Sequence, residues 1–133
     1  ALAAVRARRL ALVTAYLPEV TAAEIRFLEG HGLEVTGWQA EECEYPLQQA
    51  SVPPDRWREI ALGLKDTPAD ALFISCAGIE IASVLQRIED EFGRPVIASN
   101  QALVWHCLRL IGIPDPVHGF GGLLRREFDA VAA

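Results

Sequence analysis

Ser75-Cys76-Ala77-Gly78 is the stretch of this chain whose residue types and order can most readily do chemistry. It follows a short apolar run, Ala71–Ser75, and precedes an amphipathic stretch, Ile79–Phe92, so the cysteine is expected at a strand-to-helix turn. The first N–H groups of a helix lack intrahelical partners and favour negative charge. A cysteine placed there is expected to have a lowered pKa and a larger thiolate fraction. The amides of Ala77 and Gly78 can hold a developing oxyanion, and Gly78 leaves room for a ligand to approach the backbone. The same position also suits an inert, buried small hydrophobe, and position alone does not separate the two.

Ligands of an open parallel sheet bind beyond the carboxyl ends of its strands, which draws attention to two further turns. Tyr16 follows the run LALVTA (10–15) and can donate its hydroxyl to a carboxylate, or simply sit half-buried at a strand end. Ser99 and Asn100 follow PVIA (95–98) and can bind a carboxylate or cap the next helix. The other reactive residues read as structural. Cys107 falls in a helical run and is expected in the core. Cys43 stands among Glu41, Glu42 and Glu44, whose charges should raise its pKa. His31, His106 and His118 have no Cys or Asp partner at motif spacing. Cys43, Cys76 and Cys107 show no CxxC spacing, so no metal site is expected. Gly119-Phe120-Gly121-Gly122 does not lie between a strand and a helix, and neither a Walker loop nor GxGxxG occurs.

The elements that must position these turns alternate. A buried strand at Leu10–Ala15 is followed by a helix reaching Glu29, opened either by Pro18 or by a Thr21/Glu24 capping box and stopped by Gly30-His31-Gly32. A second strand is expected at Leu33–Gln39, weakened by Gly37. Residues 40–52 read as a polar loop. A helix over 53–65 carries Trp57, Ile60, Ala61 and Leu64 at helical spacing. Then come a strand at Ala71–Ser75, a helix at Ile79–Phe92, a short strand at Pro95–Ala98 and a helix at Gln101–Ile111. Buried strands alternating with helices define an α/β fold: a three-layer αβα arrangement around a four-stranded parallel sheet. The stretch from Ile113 to Ala133, with Pro114, Pro116, Gly119, Gly121 and Gly122, reads as an irregular tail that packs on another surface, such as a second subunit.

The chain has 133 residues, room for one domain, here 1–133. Its net charge of -6 disfavours a nucleic-acid groove, and Arg6, Arg8 and Arg9 read as a solvated segment before the first strand. No apolar run is long enough to span a membrane. An odd cysteine count without a disulfide pattern fits a reducing cytoplasm. Starting at Ala1 and lacking Met, the chain is expected to be a processed or partial piece of something longer.

The stretches Arg8-Arg9 leading into LALVTAYLPEVT (10–21), DALFISCAGI (70–79), GRPVIASNQALVWHCLRLIGI (93–113) and GFGGLL (119–124) occur in an order that resembles a known family. They are similar to the C-terminal half of the arylmalonate decarboxylase and maleate cis–trans isomerase family, within the Asp/Glu racemase superfamily. The resemblance implies two α/β half-domains, each flavodoxin-like, facing one another across a cleft to which each can bring a cysteine. Cys76 would then be the second-half cysteine. Tyr16 and the Ala77 amide, with Ser75, Gly78, Ser99 and Asn100 around them, would bind a carboxylate or enolate. The implied activity is a cofactor-independent isomerase, racemase or decarboxylase of small (di)carboxylic acids. SNQA (99–102) looks closer to the maleate isomerase branch. Thr21 stands where an Asn is common. The N-terminal half is absent, so pairing with that half or with a second copy is implied. A non-catalytic anion- or partner-binding module, or an inactive fragment, is the alternative.

Overall fold

The computed structural model describes residues 1–128. Its strands are β1 (Arg9–Thr14), β2 (Glu34–Ala40), β3 (Ala71–Ser75) and β4 (Val96–Ala98). All pair in parallel, in the order β2-β1-β3-β4. The helices are α1 (Pro18–Gly30), α2 (Pro46–Ser51), α3 (Pro54–Gly63), α4 (Ala82–Phe92) and α5 (Ser99–Leu110).

Strand side chains alternate between the faces, and the core divides accordingly. Ala11, Val13, Leu72, Ile74, Val96 and Ala98 pack against Trp57, Ile60 and Ala61 of α3 and Val84, Leu85, Ile88 and Phe92 of α4. Leu10, Leu12 and Ala71 face Leu28 and Ile25 of α1. Ile97 and Phe73 meet Ala102 and Trp105 of α5. Strands covered on both faces read as continuous apolar runs, which is why LALVT and ALFIS stand out in the sequence.

Two local devices set the register. At the amino edge, Asp70 accepts the Arg8 and Arg9 amides at 3.1 and 2.8 Å and pairs with the Arg9 guanidinium at 2.7 Å. The Arg9 guanidinium beside it holds the Asp70 carboxyl well below the usual range. In β2, the pairing shifts by one residue opposite Leu10/Ala11. Gly37 sits beyond this shift because a Cβ there would come within 2.9 Å of the Thr67 side chain. The glycine that weakens the strand signal is thus required by close packing.

Several expectations are corrected. Residues 40–52 are not all loop: Pro46 starts α2, the Glu44 amide donates to Gln48 Oε1 at 2.8 Å, and Ser51 Oγ donates to the Leu47 carbonyl at 2.7 Å. No residue of α2 is buried, so it writes no apolar period. Helix α4 begins at Ala82 rather than Ile79, because Ile79 and Ile81 are buried from an irregular turn. Helix α1 opens with Pro18, not with the Thr21/Glu24 box. Helix α5 begins directly at Ser99, and it turns Ala102 and Trp105 inward, leaving Cys107 exposed rather than in the core.

The tail, irregular as expected over residues 113–128, packs on its own chain. Leu123 and Leu124 are buried, the Gly122 amide donates to Glu89 Oε1 at 2.6 Å, and Gln101 Nε2 donates to the Phe120 carbonyl at 2.6 Å. The remainder of the expected tail, 129–133, lies outside the described residues.

Candidate active site

The strand order reverses between β1 and β3, since the chain leaves β1 for β2 on one side and crosses to β3 on the other. Such a switch point opens a crevice at the carboxyl edge. Thr14 is in register with Ser75 and Ile74 with Ala98, so Tyr16, Cys76 and Ser99 emerge there from adjacent strands. The Cys76 amide donates to Ser99 Oγ at 3.3 Å, tying the ends of β3 and β4 together.

Cys76 has φ of 147°, a conformation that L side chains rarely adopt. Such strain persists only where the surroundings over-determine it, and it clusters at functional sites. The residue is 6% exposed, and its thiol donates to Gln49 Oε1 at 3.5 Å. A Cβ on Gly78 would lie 3.8 Å from both the Cys76 sulfur and Gln49 Oε1, so these residues form one packed unit. Sequence reasoning missed Gln49. It lies on the six-residue α2, and only the tertiary fold brings it to the thiol.

Because α4 starts at Ala82, Ala77 and Gly78 belong to an exposed turn and not to a helix terminus. The partners that surround the sulfur are side chains instead. Tyr16 is partly buried, and burial, then the neighbouring Cys76, pushes its phenol pKa up. Cys43 is buried at the end of β2, its amide donating to the Ala15 carbonyl at 2.9 Å. Its thiol pKa is raised, as its acidic neighbours suggested, but burial is the leading cause, with Glu41 and Cys76 following.

Ser75 is buried beside Cys76, and Ser99 is held by the Cys76 amide. Asn100 is used locally: Nδ2 donates to the Ile79 carbonyl at 3.4 Å and Oδ1 accepts the Gln101 amide at 2.8 Å, pinning the 77–81 turn against α5. A cavity of about 330 Å³ adjoins Asn100, lined mainly by apolar side chains including Leu85, Val104 and Phe120. Among the described residues, no group of three or more His, Cys, Asp or Glu is placed to hold a metal ion.

Glu24, on α1, is a second residue that the sequence did not single out for the site. Its Oε2 is buried without a hydrogen-bond partner, and burial raises its pKa while the Ser75 hydroxyl draws it partly back. Among the described residues, no helix is long and apolar enough to cross a membrane.

A parallel α/β domain with a strained cysteine at its switch point defines the class. The arylmalonate decarboxylase family model matches residues 1–124, and the chain belongs to that family. A maleate isomerase from Nocardia farcinica is 31% identical over 99% of this chain and 53% of its own length. The arylmalonate decarboxylase of Bordetella bronchiseptica is 28% identical over 84% of this chain and 47% of its own length. The chain thus spans about half the length of the curated relatives it matches. A solved structure of the Nocardia farcinica maleate cis-trans isomerase, a cysteine-to-serine mutant carrying a covalently bound succinylcysteine intermediate, superposes with a TM-score of 0.87. The identity is 29%, over 94% of this chain and 51% of that one.

Proposed function

We propose that this chain is the half-domain, residues 1–133, of a cofactor-independent enzyme that isomerises, racemises or decarboxylates small (di)carboxylic acids through Cys76. The observation that carries this reading is the strained cysteine at the carboxyl edge, with Tyr16, Ser75 and Ser99 around it. The relative bearing a succinylcysteine supports the isomerase form of the reaction.

In that form the Cys76 thiolate adds to one olefinic carbon of a cis-butenedioate. The π pair moves into the adjacent carboxylate as an enediolate. The Tyr16 hydroxyl and the Ala77 and Gly78 amides hold this charge, with Ser75, Ser99 and Asn100 framing the carboxylates. Rotation about the former double bond and return of the electron pair expel the thiolate and release the trans acid. As a racemase or decarboxylase, the same thiol instead takes up or delivers a proton at carbon. No metal or organic cofactor enters either scheme.

The site needs a second half. Leu103, Val104, Leu110 and Ile111 are exposed on one side of α5 around Cys107, an apolar face of the kind that another half-domain or a second copy covers. The reading is tested by turnover of maleate by the intact protein carrying this chain. Cys76→Ser is expected to abolish fumarate formation, and full turnover by that variant would remove Cys76 from the chemistry.

The near-complete enclosure of Cys76 favours a second reading, an anion- or partner-binding module without catalysis. In that case Cys76 alkylates no faster than an ordinary thiol at neutral pH and gains no protection from dicarboxylates.

A further inference from the structure

We propose that Gln101 is a positioning residue, which holds Ser99 on the Cys76 amide and couples the 119–122 loop to the reacting thiol. This rests on Cys76 being that thiol and adds what keeps it in place. Strand β4 lies at the edge of the sheet and pairs only with β3. An edge strand leaves alternate amides without ladder partners. Here two side chains take them. The Val96 amide donates to Glu89 Oε2 at 3.0 Å, and the Ala98 amide donates to Gln101 Oε1 at 3.1 Å. Both side chains are buried, and each also grips the same glycine-rich loop. Glu89 Oε1 accepts the Gly122 amide at 2.6 Å, and Gln101 Nε2 donates to the Phe120 carbonyl at 2.6 Å. Gly119-Phe120-Gly121-Gly122 is thus a clamp on the free edge of β4. Gly121 permits it: its φ is 85°, and a Cβ there would come within 2.8 Å of Gln101 Nε2.

The two clamping side chains differ in what lies beyond them. Glu89 holds the start of β4, whereas Gln101 holds its end, where α5 begins at Ser99. By reaching back from the third residue of α5 to the Ala98 amide, Gln101 sets the first turn of that helix. Ser99 opens that turn, and its Oγ accepts the Cys76 amide at 3.3 Å. This bond fixes the plane of the peptide that leads into Cys76, the residue with φ of 147°. From the loop to the thiol, every link is a hydrogen bond or a covalent step: Phe120 to Gln101, Gln101 to Ala98, Ala98 to Ser99, and Ser99 to Cys76. Gln101 is 4% exposed and both ends of its carboxamide are engaged, so it acts through Ser99 and not on substrate.

The test is a double-mutant cycle in the intact protein, with Gln101→Met, Ser99→Ala and the two together. Met occupies a similar volume and makes neither hydrogen bond. In Gln101→Met, kcat for maleate is expected to fall about five- to tenfold, the weight of one hydrogen bond, with KM unchanged. In the Ser99→Ala background the same change is expected to have no further effect, because the bond through which it acts is already gone. A side chain that only supports the fold would lower kcat by the same factor in both backgrounds, or lower Tm and leave kcat alone. Either result would overturn the proposal. If Gln101→Met does not fold, Gly121→Ala takes its place, since its Cβ displaces Gln101 Nε2 from the Phe120 carbonyl. The same cycle with Ser99→Ala then decides.

Failure of the Cys76 reading shows differently. Full maleate turnover by Cys76→Ser, or none by wild type, removes that reading. The cycle is then followed by the rate of Cys76 alkylation by iodoacetamide, read by peptide mass. Gln101→Met is expected to change this rate in the parent protein and not in Ser99→Ala. A rate unchanged in the parent, or changed equally in both backgrounds, would overturn the coupling.

Discussion

Substituting each buried cysteine by Ala and by Gly measures the strain at Cys76 directly. At an ordinary buried position Gly is less stable than Ala by about 0.5–1 kcal/mol of backbone entropy, plus roughly 0.8 kcal/mol for the methyl it fails to bury. Cys43 is such a position: buried, and not among the described residues with positive φ. Cys43→Gly should therefore fall below Cys43→Ala by about 1.5 kcal/mol. At Cys76 the backbone, with φ at 147°, resists any Cβ, at a cost of about 1–3 kcal/mol that Gly alone escapes. Both Cys76 variants lose the sulfur and its bond to Gln49, so those losses cancel in the comparison. Cys76→Gly should match or slightly exceed Cys76→Ala. The difference between the two sites, about 2 kcal/mol, is the strain itself. Urea melts of the intact protein would show it as roughly a 1 M displacement between the paired midpoints. If Gly sits below Ala by the same margin at both cysteines, the backbone at Cys76 is relaxed, and strain cannot be what holds the thiol at the sheet's edge.

Two further outcomes follow from the same site. Gln49→Glu places a carboxylate where the neutral acceptor lies 3.5 Å from the sulfur, which disfavours the thiolate. Cys76 alkylation at neutral pH should slow about tenfold, one pKa unit's worth, and an unchanged rate would show that Gln49 does not face the thiol in solution. The raised carboxyl pKa of Glu24, caused first by burial, makes the folded protein hold that proton more tightly than the unfolded chain. Its stabilising contribution is complete below the ordinary carboxyl value of 4.5 and is lost as pH rises from there through the folded value. The Tm of wild type relative to Glu24→Gln should therefore decline with pH across that window, and a constant difference would mean that the carboxyl titrates as if unfolded.

What was legible in the sequence follows the range of the interactions concerned. β3 is legible at its observed bounds and β1 and β4 to within one residue at each end, because burial makes each an apolar run that needs no knowledge of its neighbours, whereas the edge strand β2, with no buried residue, is found to within one residue without such a run. Tyr16, Cys76 and Ser99 were legible for a related reason: strand ends in a parallel sheet come together at one edge, so their adjacency follows from the order of elements alone. The start of α4 was misread because Ile79 and Ile81 are as apolar as helix residues, yet they anchor a turn. Cys107 was misread because α5 is apolar on more than one side, and composition does not say which side meets the sheet.

The residues that were missed, Gln49 and Glu24, share a physical feature. Each is an ordinary polar residue on a helix, Glu24 marked in sequence only as part of a capping box that the helix does not use, and each comes to the carboxyl edge only when that helix is laid over it. Gln49 reaches the sulfur across 27 residues of sequence, and Glu24 faces Ser75, 51 residues further along the chain. The thiol itself is written into the strand-turn pattern, whereas the acceptor of its hydrogen bond is written only into the packing of α2. Substitutions that alter reactivity without changing the cysteine should therefore include Gln49 on α2, where nothing in the local sequence marks it.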